Sequence, residues 1–287
     1  GDVANVDRHF APLLANRNIQ FLFSFKYAQA HVMSSPVQPF ANKFVDEIQG
    51  RKTLWTLRND DNFYFRWGAP GFVREFLRNL PPKVSEGFYY GSDGYIWGRE
   101  FLAKESASPR PLEIEKHWYH WMSFGRLGYN PDLSDEWFAQ MLRDRFPEVD
   151  GTALFTVWQE TSLIYPLTTG FHWGAADFSW YIEGCRSHPN GANDRIGYHG
   201  VEQFIVQPVH PGTKNQRIPD YVETVISGRT SPLKSPLQVA AELHAHADRA
   251  QNPFLIPFIN VGHFLDHLAM LIFPTVVLGL AREWNQP

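Results

Sequence analysis

Four short apolar runs, each closing on polar residues, set the terms on which this chain can fold. They are NIQFLFSFKY (18–27), KTLWTLRND (52–60), EGFYYGSDG (86–94) and ALFTVWQET (153–161). Runs this short and this continuously apolar suit strands covered on both faces, the condition of a parallel sheet. The first three begin about 34 residues apart, the size of one strand–helix unit. Helical patterns fill the intervals. PGFVREFLRNL (70–80) puts Phe72, Val73, Phe76, Leu77 and Leu80 on one face. LEIEKHWYHWMSFG (112–125) does the same with Ile114, Trp118, Trp121, Met122 and Gly125. SDEWFAQMLRDRF (134–146) opens on Ser134 as an N-cap and turns Trp137, Phe138, Met141 and Leu142 inward.

Strands alternating with helices give an α/β parallel architecture. Neither GxGxxG nor GxxxxGK[ST] follows any of the runs, which argues against a nucleotide-binding doubly wound sheet. The expected fold is a (β/α)8 TIM-type barrel or its C-terminal portion, with a short helical C-terminal region. The second form enters because eight strands close such a barrel. This sequence offers four good runs and one weaker one, VEQFIVQP (201–208). Residues 1–230 form the barrel region in this reading and residues 231–287 the helical region. The latter opens on SPLQVAAELHAHADRA (235–250), where Ser235 as N-cap, Pro236 at the first helical position and Gln238 at the third make a capping box.

The most apolar stretch, 253–281, is interrupted by Pro257, Asn260, His263, Asp266, His267 and Pro274. Ionisable groups near a bilayer centre are costly, so no membrane span is expected there. A buried or interfacial helix pair is the better reading, and these apolar helices are candidates for a homo-oligomer interface. A hydrophobic content of 44% supports a sizeable core, and the absence of low-complexity runs excludes a disordered chain. A net charge of −4 leaves no basic footprint for nucleic acid. The lone Cys185 excludes an intramolecular disulfide. The opening residues GDVANVDRHF carry no signal-peptide pattern.

In parallel barrels the working residues lie at the C-terminal ends of strands and in the loops that follow. The expected strand ends here carry Lys26 and Tyr27, then Arg58, Asn59, Asp60 and Asp61, then Asp93, then Gln159 and Glu160. A polar residue where a strand gives way to a loop is ordinary. Four such ends in succession, on strands with almost purely apolar interiors, point to a shared mouth. The loops beyond them are rich in rings and cations: Arg66 and Trp67; Tyr95, Trp97 and Arg99; His172, Trp173 and Trp180. Carboxylates among indoles suit a sugar, whose CH face stacks on a ring while its hydroxyls bond to acids. Two carboxylates flanking a glycosidic bond supply an acid and a base or nucleophile. Asp93 and Glu160 are the leading pair, with Glu100 and Asp60 in reserve. Arg58, Arg66 and Arg99 suit a substrate carboxylate, which points to a uronic acid, although each arginine could equally pair with a neighbouring acid. Trp67, Tyr95, Trp97, His172, Trp173 and Trp180 complete the expected binding surface.

HAH (244–246) and HFLDH (263–267) have ligand-like spacing, but no HExxH occurs, and these read as ordinary helix histidines. No metal and no cofactor are expected. No GxSxG supports a serine hydrolase.

At WTLRNDDNFYFRWGAPGFVREFLRNLP, GFYYGSDGYIWGREF, EIEKHWYHWMSFGRLGYNPDL and TGFHWGAADFSWYIEGC the sequence resembles bacterial glycoside-hydrolase-like proteins of polysaccharide-utilisation clusters. Their barrels are distantly similar to α-glucuronidases. The resemblance covers about residues 5–250. It implies a (β/α)8 glycosidase-type barrel and a plant or algal polysaccharide as substrate; the compartment stays open, with a periplasmic or secreted location favoured. Those relatives carry additional N-terminal sequence, in keeping with the missing strands. The resulting expectation is a glycoside hydrolase that releases an acidic sugar through its carboxylate pair. Two alternatives stand beside it. One is a uronic-acid lyase or dehydratase with Tyr95, His172 or Lys26 as base. The other is a non-catalytic carbohydrate-binding barrel fragment.

Overall fold

The computed structural model describes residues 3–16, 23–26, 35–37, 45–48, 51–57, 67–90, 108–109, 112–171, 205–206 and 208–251. The expected strands at 18–27, 52–60 and 86–94 form β1 (Phe23–Lys26), β2 (Thr53–Leu57) and β3 (Ser85–Tyr90). They make one parallel sheet in the order β1-β2-β3. Lys26 stands opposite Thr56, and Leu57 opposite Tyr90. At the start of the second pairing Thr53 opposes Ser85 while Leu54 opposes Gly87, so Glu86 is an extra residue in β3 and bends it. All three strands run the same way, and their C-terminal ends share one edge.

Trp55 of β2 is fully buried and donates its Nε1–H to Ser85 Oγ at 2.7 Å. Ser85 Oγ in turn donates to the Pro81 carbonyl at 2.6 Å. The short chain of bonds fixes the entry of β3 against the middle of the sheet. The expected helix at 70–80 is α2 (Pro70–Arg78), which buries Phe72, Val73 and Phe76; α1 (Val3–Leu14) precedes the sheet. The pattern at 112–125 divides at His117 into a single turn, α3 (Glu113–Lys116), and α4 (Trp118–Tyr129). Ser134 caps α5 (Asp135–Arg145) by accepting from Trp137 N–H at 3.2 Å. Acids at 135 and 136 and arginines at 143 and 145 match its dipole. Arg74 of α2 ties to α5 through Asp135 at 2.9 Å and the Leu133 carbonyl at 2.8 Å.

One expected strand is a helix. ALFTVWQET lies inside α6 (Gly151–Phe171), a 21-residue helix with Pro166 within it. Asp150 caps it, its Oδ1 accepting from Thr152 N–H at 2.9 Å and Ala153 N–H at 3.2 Å. The β-branched residues that suggest a strand are accommodated by back-bonding. Thr156, Thr161 and Thr168 each donate a hydroxyl to the carbonyl four residues earlier, at 3.0, 2.8 and 3.0 Å. Leu154, Val157, Thr161 and Ile164 form the buried stripe, at helical spacing. The weaker run at 201–208 also departs from expectation where it is described: Ile205 and Val206 are helical.

After α7 (Ile218–Ile226) the chain enters α8 (Pro236–Ala250), which packs along α6. Its expected capping box is present: Ser235 Oγ accepts from Gln238 N–H at 3.2 Å, and Gln238 Oε1 accepts from Ser235 N–H at 2.8 Å. The core lies between the sheet and α2, α4, α5 and α6, around Trp55, Trp67, Phe76, Tyr119, Phe124, Phe138 and Leu142. Among the described residues the molecule is thus a helix-rich α/β structure with a three-stranded parallel sheet, and no helix is long and apolar enough to cross a membrane.

Candidate functional site

The sheet edge formed by the ends of β1, β2 and β3 is where a parallel α/β structure carries its chemistry. Most of the residues expected to line a site there lie outside the described residues. These are Arg58, Asp60, Arg66, Asp93, Tyr95, Trp97, Arg99, Glu100, His172, Trp173 and Trp180. Trp67 and Glu160 are described, and the chain between β2 and α2 is described again from Trp67 onward.

Trp67 is a core residue, only 1% exposed, and offers no open face on which a sugar could stack. Its ring meets Phe72 and His120 edge to face, at centroid separations of 5.6 and 5.3 Å. Its Nε1–H donates to the Ser162 carbonyl at 2.8 Å. The reason is local: the carbonyl of an α6 residue is turned toward the indole, and a buried Trp N–H requires a partner. The next residue is held from the same place, Gly68 N–H donating to Ser162 Oγ at 2.8 Å. A Cβ on Gly68 would stand 2.2 Å from Tyr119 Cδ1, so any larger residue there would have to displace that ring. One turn earlier on α6, Gln159 Oε1 accepts from Gly71 N–H at 3.1 Å. The chain returning from the β2 edge is therefore fastened to α6 at three points.

Glu160 does not close a strand; it sits in the middle of α6 and faces α8. Its side chain is 15% exposed and shares Oε2 between two partners, His246 Nδ1 at 2.7 Å and Arg249 Nε at 2.8 Å. Arg249 Nη2 also approaches His246 Nδ1, at 2.9 Å. A single ring nitrogen cannot donate to one neighbour and accept from the other. An unprotonated Nδ1 would set lone pair against lone pair at Glu160, so the proton belongs on Nδ1, and Arg249 Nη2 is a neighbour rather than a donor. Two N–H donors converging on one oxygen suit a carboxylate that joins two helices.

In the sequence, His246 reads as an ordinary helix histidine and Arg249 draws no notice. The signal lies in their spacing: three residues apart on one helix, they share a face. His244, two residues from His246 on the same helix, is exposed and does not share that face.

Beneath Trp67 lies a buried polar layer of His117, Tyr119 and His120 from α4 and the turn before it. Burial holds His120 well below the ordinary imidazole range, and the neighbouring His117 pushes the same way. Burial, with the charge of Asp135, raises the Tyr119 phenol far above its usual range. Both groups are neutral at any ordinary pH. Among the described residues no group of three or more His, Cys, Asp or Glu side chains is placed to hold a metal ion.

No protein-family model matches the chain, and no curated protein matches it. A solved structure does: a GH138 enzyme targeting pectin rhamnogalacturonan II superposes with a TM-score of 0.63 at 15% sequence identity. The match covers 87% of this chain and 29% of that one, so the chain spans under a third of that enzyme's length. In its fold, this chain is similar to a part of that GH138 glycoside hydrolase.

Proposed function

We propose that the chain forms part of a glycoside hydrolase barrel acting on a plant or algal polysaccharide, with pectic material as the leading class. The observation that carries this reading is the shared C-terminal edge of the parallel sheet, on a fold similar to that of a GH138 enzyme targeting pectin rhamnogalacturonan II. The register supports one proposed choice of acids. Leu57 and Tyr90 are paired across adjacent strands. Asp60 and Asp93 each follow their member of that pair by three sequence positions. Equal sequence distance from a paired position on neighbouring strands is the ground on which Asp60 is proposed as the partner carboxylate of Asp93. Asp93 remains the first choice, Asp60 moves ahead of Glu160 as its partner, and Glu100 stays in reserve. Arg58, Arg66 and Arg99 are assigned to a substrate carboxylate, and Trp97 and Trp173 to stacking. Glu160 is assigned to the α6–α8 junction.

The test is incubation with rhamnogalacturonan II oligosaccharides and with other uronic-acid oligosaccharides, following reducing ends and the absorbance of a conjugated double bond in parallel. New reducing ends without the double bond are expected. Appearance of the double bond would identify an elimination instead. Asp93→Asn is expected to lower turnover by about 10²–10⁴-fold while leaving binding in place; full activity in that variant would remove Asp93 from the mechanism.

A further inference from the structure

We infer that Gln159 and Ser162 are positioning residues for the proposed site, acting from α6 on the chain that returns from the β2 edge. The inference rests on the functional reading above in one respect: the segment between β2 and α2, which carries Arg58, Asp60 and Arg66, must belong to the site.

The first turn of α2 lacks a local acceptor. Helix N-termini present N–H groups with no partner inside the helix, and a polar N-cap side chain ordinarily takes one of them. The N-cap of α2 is Ala69, which has no side-chain bond to give, and Pro70 follows at the first helical position. Gly71 N–H is then the first donor in need of an acceptor. It finds one 88 residues away in sequence, in Gln159 Oε1 at 3.1 Å. Contact is so close that a Cβ on Gly71 would itself stand 3.1 Å from that oxygen. Ser162, fully buried, performs the matching service on the approach to the helix, accepting from Gly68 N–H through Oγ and from Trp67 Nε1 through its carbonyl. Gln159 and Ser162 are one turn apart on α6, so a single helix face holds both ends of the Trp67–Gly71 stretch.

Backbone donors whose partners come from another element fix that backbone to the element. Loss of either acceptor would free the Trp67–Gly71 stretch from α6. Misplacement by about an ångström is the scale of error that degrades catalysis.

The distinguishing variants are Gln159→Met and Gln159→Glu. Methionine keeps the length of the side chain and removes the acceptor. Glutamate keeps the acceptor and adds a negative charge where a helix N-terminus favours one. Amide hydrogen exchange at Gly68 and Gly71 and steady-state turnover of rhamnogalacturonan II oligosaccharides are read together. In Gln159→Met, Gly71 exchange should rise by on the order of tenfold and kcat should fall by a similar factor with KM less affected. Gln159→Glu should restore both, and Ser162→Ala should accelerate exchange at Gly68. Unchanged exchange in Gln159→Met and Ser162→Ala would overturn the inference. So would faster exchange with kcat untouched, since the bond would then hold nothing the reaction needs. Equal loss of activity in the Met and Glu variants would also overturn it. If the parent protein turns over none of these substrates while exchange responds as expected, the pectic reading fails, and the anchoring of Trp67–Gly71 by α6 stands on exchange.

Discussion

Gly68 and Glu160 show what single residues do in this molecule. At Gly68 the obstacle is the Tyr119 ring, 2.2 Å from where a Cβ would be. Gly68→Ala is expected to cost about 1–3 kcal/mol by overpacking, read as a lower urea midpoint, and Tyr119→Leu in the same chain should recover much of it. At Glu160 the expected cost is smaller, because Arg249 is half exposed and water shares its charge. Glu160→Gln should lower the unfolding midpoint by an amount that shrinks in high salt, with far less loss of turnover than Asp93→Asn causes. Collapse of turnover in Glu160→Gln would return that carboxylate to the mechanism. The sequence discloses residues of this kind unequally. Glu160 is visible as an acid beside an apolar run, but its partners lie 86 and 89 positions further along. Nothing local signals a pairing across that distance. Trp67 misleads for a related reason: an indole among arginines looks like a ligand surface until a carbonyl from another helix is seen to take its N–H.

At the scale of elements, local chemistry is legible where the determinants are local. Ser134 and the Ser235–Gln238 box announce their helices because cap and acceptor lie within three residues of one another. Ser235→Ala is expected to destabilise α8 by about 1 kcal/mol, with faster hydrogen exchange confined to its first turn; protection unchanged there would show the box to be idle. The three parallel strands are equally readable from their continuous apolar runs. The exception is α6. ALFTVWQET has the composition of a buried strand, and a helix covered on two sides reads in much the same way. The cue that decides it is Asp150, an N-cap just ahead of Gly151. The threonine hydroxyls that return to their own helix carbonyls then remove the objection to β-branched residues.

For the molecule as a whole, acid should be the weak side. His210 is fully buried, and burial brings its pKa down to about 4 from the usual 6.5. Its Nδ1 accepts from Gly212 N–H at 2.9 Å, a bond that protonation of that nitrogen would break. Gly212 also takes the Ser35 hydroxyl on its carbonyl at 3.2 Å, so the same turn joins distant parts of the chain. The sign follows from proton uptake. Between pH 6.5 and about 4 the unfolded chain binds a proton at this residue that the folded chain refuses. Stability is therefore complete above pH 6.5 and falls as pH drops toward 4, by up to about 3 kcal/mol from His210. His120 acts in the same direction. Urea midpoints measured at about pH 7.5 and about pH 4.5 should differ more in the parent than in His210→Asn, whose amide oxygen can keep the Gly212 bond. An equal acid slope in both would exclude His210 as a source. The α/β class is legible at this scale, since alternation of strand and helix is written along the chain. The three-dimensional association of α6 with the Trp67–Gly71 stretch is not, since it depends on residues 88 to 95 positions apart.

That separation governs the order of events in folding. The three bonds that fasten Trp67, Gly68 and Gly71 to α6 span 95, 94 and 88 residues. Long-range contacts of this kind form late, after the entropy of closing the intervening chain has been spent. During synthesis β2 and α2 emerge well before their acceptors exist, so the first turn of α2 is left with an open donor until α6 arrives. The Trp67–Gly71 stretch is then among the last of the described parts to become fixed, and a ribosome-bound chain that stops short of Gln159 would carry β2 and α2 without the anchor that sets that stretch.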